Sequence, residues 1–113
     1  MIVVDRGGVI RYWSEDAERL TGHRAPDAVG QTLDLVVPPE YRPRHWAGFE
    51  AAMQTGTARA EGAAANIPVL CADGTIRRWP ARFTLIRDAR GRPAGAAAVM
   101  VEPLPDDPAF FEL

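Results

Sequence analysis

The run VVPPEYRPRHWAGFEAAMQTGTARAEG, residues Val36 to Gly62, reads as a helix with both ends marked, followed by the start of a strand. Pro38 and Pro39 stop whatever precedes them, because each fixes φ and lacks an N–H donor. Pro43 suits a first helical turn, where its missing N–H costs nothing. From there to Thr55 only Gly48 interrupts the helix formers, and Gly56 supplies the stop. At helical spacing His45, Gly48, Phe49 and Ala52 share one face. That face sets an imidazole beside two residues with almost no side chain, so a flat, bulky ligand could lie there with His45 directed at its centre. A lone histidine near a helix start is more often a surface or cap residue than a ligand. Gly and Ala would equally let the helix pack closely on a sheet. Residues elsewhere have to decide.

Before this run, Ile2-Val3-Val4 and Val9-Ile10-Arg11-Tyr12-Trp13 flank Asp5-Arg6-Gly7-Gly8, which predicts a β-hairpin. Ser14 is a good N-cap for a short helix from Glu15 to Leu20, anchored by Ala17 and Leu20 and closed by Gly22. Pro26 to Gly30 gives one more helical turn, and Thr32 to Val37 an apolar connector that needs burial. After the run, the alanine-rich stretch Ala58 to Ala72 reads as a strand, with Ala63 and Ala65 on one face. Asp73-Gly74 is the strongest hairpin signal in the chain. Trp79 to Ile86 alternates, with Trp79, Ala81, Phe83 and Leu85 on one face and Arg82 and Thr84 on the other. Gly95 to Val101 makes a last strand. Helices set on one face of an antiparallel sheet define an α+β layout.

Composition bounds the function. A chain of 113 residues is one domain by default, here residues 1–103 with a short proline-containing tail, 104–113. The formal net charge of −2 carries no basic excess of the kind that nucleic-acid binding needs. The single cysteine, Cys71, excludes an internal disulfide and any multi-cysteine metal site, and its place before a turn suits a structural thiol. No signal peptide and no apolar run of membrane-spanning length occur, which implies the cytoplasm and no membrane partner. No nucleophile with a paired base is visible, so the chain is not expected to be an enzyme.

The order of elements and the residues in them resemble the PAS family over essentially the whole chain. Val9 to Trp13 followed by Ala17-Glu18-Arg19-Leu20-Thr21-Gly22 is similar to that family's strand and A-E-x-L-x-G signature, and Val29-Gly30, Pro38 and Asp73-Gly74-Thr75 fall where its other marks lie. The resemblance implies a five-stranded antiparallel sheet with short helices and one longer helix on one face, and a homodimer. No cysteine lies in a helix, as a flavin photoreceptor of this family would need, and Cys71 does not match the coumaric-acid type. Val29 to His45 is similar, without a gap, to the heme-binding branch. There Arg42-Pro43-Arg44-His45 matches R-P-x-H, whose histidine ligates iron.

That branch implies heme b, with His45 as the metal ligand and Leu33, Leu35, Val36, Phe49, Phe83 and Leu85 as the apolar slot. Arg59, with Arg44 second, would meet the propionates. By count, the family's gas-binding arginine and its alternative methionine ligand fall on Ala65 and Ala63. Two alanines neither donate to bound oxygen nor ligate iron, so CO and NO are expected over O₂ as diatomic gas ligand, with redox state a further signal. An open-sided heme would allow incidental peroxidase-type chemistry. The Phe83 and Leu85 assignment needs a longer turn or a bulge in the hairpin after Asp73. Trp13 and Trp79 are expected in the core or a dimer surface, and Trp46 and Met53 in the core or an interface. Pro103 to Leu113 resembles no signalling helix, so the output partner is not legible. The alternative is a non-heme PAS module that dimerises or holds a small apolar metabolite, with His45 structural.

Overall fold

A computed structural model describes residues 1–58, 61, 62 and 64–100. The expected roles of Arg59 and Ala63, and the tail 104–113, lie outside the described residues. Strands β1 (Ile2–Asp5) and β2 (Ile10–Trp13) form the first hairpin. Its turn is held by the Asp5 carboxylate, which accepts from Gly7 N–H at 2.9 Å, Val9 N–H at 3.0 Å and Arg11 Nε at 2.9 Å. Helix α1 (Glu15–Thr21) starts where the Ser14 hydroxyl accepts from Ala17 N–H, and it stops at Gly22, whose φ of 79° favours glycine. Helix α2 (Ala25–Ala28) and two 3₁₀ turns, Leu33–Leu35 and Pro39–Tyr41, lead into helix α3 (Arg42–Thr55). Strands β3 (Ala64–Leu70), β4 (Ile76–Arg87) and β5 (Pro93–Met100) complete an antiparallel sheet in the order β2-β1-β5-β4-β3.

Register explains the shape of the core. One row across the inner face runs Trp13, Ile2, Ala98, Phe83, and the next runs Ile10, Val4, Ala96, Leu85. A third runs Met100, Ala81, Ala65. Bulky residues therefore stand on both sides of a central strand that offers only alanines along most of its length. At the hairpin side Ile10, Trp13, Ala17, Ala28, Val36 and Val69 close into a packed cluster. The Trp13 indole N–H donates to His23 O at 2.9 Å, so its polar edge is satisfied inside. Ala52, Met53 and Leu85 form a second, smaller cluster beneath α3.

Several boundaries depart from the sequence expectation. The strand expected from Ala58 begins at Ala64; ahead of it Glu61 and Gly62 stand in a turn, with Glu61 N–H on Ala58 O at 3.1 Å. The β3–β4 register runs from Leu70↔Ile76 to Ala64↔Arg82 without a bulge, across a connection of residues 71–75. The irregularity lies instead at Ile86/Arg87, beyond Phe83 and Leu85. In α1 the fully buried residues are Ala17 and Thr21, with Leu20 half-buried.

Candidate functional site

Small residues on both facing layers leave a cavity between α3 and the sheet. Its volume is about 580 Å³, inside the range of roughly 300–1,000 Å³ common for small-molecule sites. His45, Gly48, Phe49 and Ala52 all line it, so the helical face read from the sequence is the face turned inward. A Cβ on Gly48 would meet nothing within 4 Å, which makes this glycine part of the empty space. Phe83 and Leu85 line the opposite wall with Trp79, Ala81, Ala96, Ala98 and Met100. Leu33 and Val36 close one end.

Two expected residues do not line the cavity. Leu35 packs against the hairpin-side cluster, because a 3₁₀ turn sends residues two apart to different faces. Ala65 is fully buried beyond Ala81 and does not reach the space. The β5 residues and Tyr41 are among the lining residues that spacing missed. The signal for β5 was the small-residue alternation after Gly95. Among the sheet residues that line the cavity, Trp79 alone carries a side-chain hydrogen-bond donor, so this wall is almost wholly apolar.

The first turn of α3 is fastened to the connector before it. Arg42 donates to Val37 O at 3.1 Å and to Asp34 O at 3.0 Å, and the Trp46 indole N–H donates to the Asp34 carboxylate at 2.7 Å. Trp46 also fills the space beside Gly8, where a Cβ would stand 2.4 Å from its ring. His45 lies between two aromatic rings, edge to face with Trp46 at 4.9 Å and stacked with Phe49 at 6.1 Å. Two effects compete for its proton. Burial lowers the imidazole pKa and the Asp34 carboxylate raises it, and burial wins. The ring is therefore neutral near pH 7, the form that ligates metals. Its Nδ1 is buried with no hydrogen-bond partner among the described residues, so the orienting acceptor expected for a ligating histidine is absent there. A buried nitrogen left without a partner costs about 1–3 kcal/mol.

No group of three or more His, Cys, Asp or Glu side chains capable of holding a metal ion occurs among the described residues. A single histidine suits a metal that brings its own equatorial ligands. Among the described residues no helix is long and apolar enough to cross a membrane.

The family model of the PAS fold matches residues 1–102. The chain belongs to the PAS family. The domain is 25% identical over 84 residues to the oxygen sensor protein DosP of Escherichia coli, covering 74% of this chain and 10% of that protein. It is 42% identical over 45 residues to the sensor protein FixL of Bradyrhizobium diazoefficiens, covering 40% of this chain and 9% of that one. This PAS domain therefore spans about a tenth of the length of these curated relatives. The crystal structure of a PAS domain from Colwellia psychrerythraea shares the fold, with a TM-score of 0.73 and 21% identity over 90% of this chain and 83% of that one.

Proposed function

We propose that this PAS domain is a heme b sensor in which His45 is the protein ligand to iron and the apolar sheet wall faces the gas. The observation that carries the reading is the neutral, half-buried His45 with an unpartnered Nδ1 in the wall of an apolar 580 Å³ cavity. The R-P-x-H match of Arg42 to His45, and the likeness to an oxygen sensor protein, support it. Leu33, Val36, Phe49, Phe83 and Leu85 would contact the ring, and Arg44, which lines the cavity, would meet its carboxylates. When bound, heme supplies an iron centre that takes diatomic gases and changes oxidation state. The chain's own part is to hold the imidazole neutral, exclude water through its alanine-lined wall and present few donors to the gas. That balance favours CO, NO or redox state over O₂ as the signal. Signal transfer to a partner through a cytoplasmic homodimer, with no catalytic step, belongs to the same reading.

An apolar metabolite in a non-heme PAS module is the second reading, favoured by a sheet wall with a single side-chain donor. Hemin titration separates the two. A sharp Soret band, saturating at one heme per chain and lost or strongly shifted in His45→Ala, is expected for the first. An identical spectrum in the His45→Ala protein would remove His45 as the ligand.

A further inference from the structure

One carboxylate joins the turn after the His45 helix to the strand that walls the cavity. Glu61 Oε2 accepts from Leu85 N–H at 2.7 Å and from the Thr84 hydroxyl at 2.9 Å, while Oε1 accepts from Arg87 at 3.1 Å. The same Arg87 nitrogen donates to Gly56 O, at the C-cap of α3, at 3.0 Å. Gly62 N–H donates to Phe83 O at 2.9 Å, so the turn is sewn to β4 at alternate residues. Among the described residues, pairing between β3 and β4 reaches Ala64↔Arg82, and Leu85 lies past it. Glu61 therefore takes the place of a missing strand at this edge. Leu85, whose N–H it binds, and Phe83, whose carbonyl accepts from Gly62 N–H, both line the cavity.

The contributions are unequal. The Glu61–Arg87 pair is part-exposed, and such pairs contribute little on their own. The charge-assisted bond to a backbone N–H is the stronger element.

We propose that Glu61 and Arg87 form a cross-tie, Glu61 holding the turn after α3 to β4 and Arg87 holding Gly56 O at the α3 C-cap, and that this tie sets the rate at which a cavity ligand leaves. Glu61 is a positioning residue and touches no ligand. The proposal rests on the cavity and not on heme as its occupant.

The test uses two probes, 8-anilinonaphthalene-1-sulfonate released by dilution and hemin released to apomyoglobin, both followed by stopped flow. Glu61→Gln keeps the shape and removes the charge. Its probes are expected to leave about tenfold faster, the size of one charged hydrogen bond, with entry also quickened so that Kd moves less than the release rate. Arg87→Gln, which also frees Gly56 O, should quicken release in the same direction, and the double variant at least as much as Glu61→Gln alone. Amide exchange at Leu85 should quicken in parallel. Release unchanged within about twofold overturns the proposal even where Leu85 protection falls, since the tie would then not govern exit. Affinity lost wholly through slower entry, or no binding of either probe, overturns it too. Faster release of the sulfonate from a protein that takes up no hemin supports the cross-tie and removes the heme reading.

Discussion

The two ends of the inner sheet face are filled differently. At the hairpin end, Ile10 and Trp13 are 0% and 4% exposed, belong to one cluster with Ala17, Ala28 and Val36, and do not line the cavity. Under α3, Gly48 and Ala52 face Ala96 and Ala98, and the space stays open. Close packing contributes stability, and a void forfeits it. The molecule therefore concentrates stability in the hairpin end and keeps room for a ligand in the helix end.

The comparison breaks most sharply at Ile10. Ile10→Ala should cost about 2–5 kcal/mol, read from the urea midpoint. A cost under about 1 kcal/mol would mean that the hairpin end does not hold the fold. Ala98→Leu should act oppositely. Filling open apolar space adds about 0.8 kcal/mol per buried methylene, so stability should hold or rise by about 1–2 kcal/mol while hemin or sulfonate binding weakens at least tenfold. Lower stability with binding intact would show that the space beside Ala98 is already taken.

Acid titration sharpens the contrast further. The Leu85 N–H, then the Thr84 hydroxyl, hold the Glu61 carboxyl below its ordinary value of 4.5. The Val9 N–H, and after it Arg11, do the same for Asp5, whose ordinary value is 3.8. In both cases the unfolded chain binds the proton more tightly. The stabilisation is fully present above the ordinary value and is lost as pH falls through the lowered one. Glu61→Gln should converge with the parent protein on acidification, beginning near pH 4.5, and Asp5→Asn should begin near 3.8. Parallel curves at all pH values would remove the carboxylate's share. The smallest effect is Gly48→Ala, expected to raise stability by about 0.5–1 kcal/mol because nothing opposes the added methyl. A loss would mean that α3 needs its glycine.

Much of this was legible in the chain. Period-two alternation placed Trp79, Ala81, Phe83 and Leu85 on one wall, and period 3.6 placed His45, Gly48, Phe49 and Ala52 on the other, because both patterns follow from backbone geometry alone. Leu35 failed because a three-residue turn of a tighter helix reverses the face. Ala96 and Ala98 were missed because alanine carries no strand preference, and a cavity is signalled by what is small. Glu61 was invisible for another reason: its partners Thr84, Leu85 and Arg87 are 23 to 26 residues away, so no local spacing reports them.

Trp46, one residue past the imidazole, occupies the place where any side chain at position 8 would stand. The β1–β2 turn and α3 therefore meet at a position only glycine can hold, and any side chain there would have to displace the indole that stands edge to face with the His45 ring.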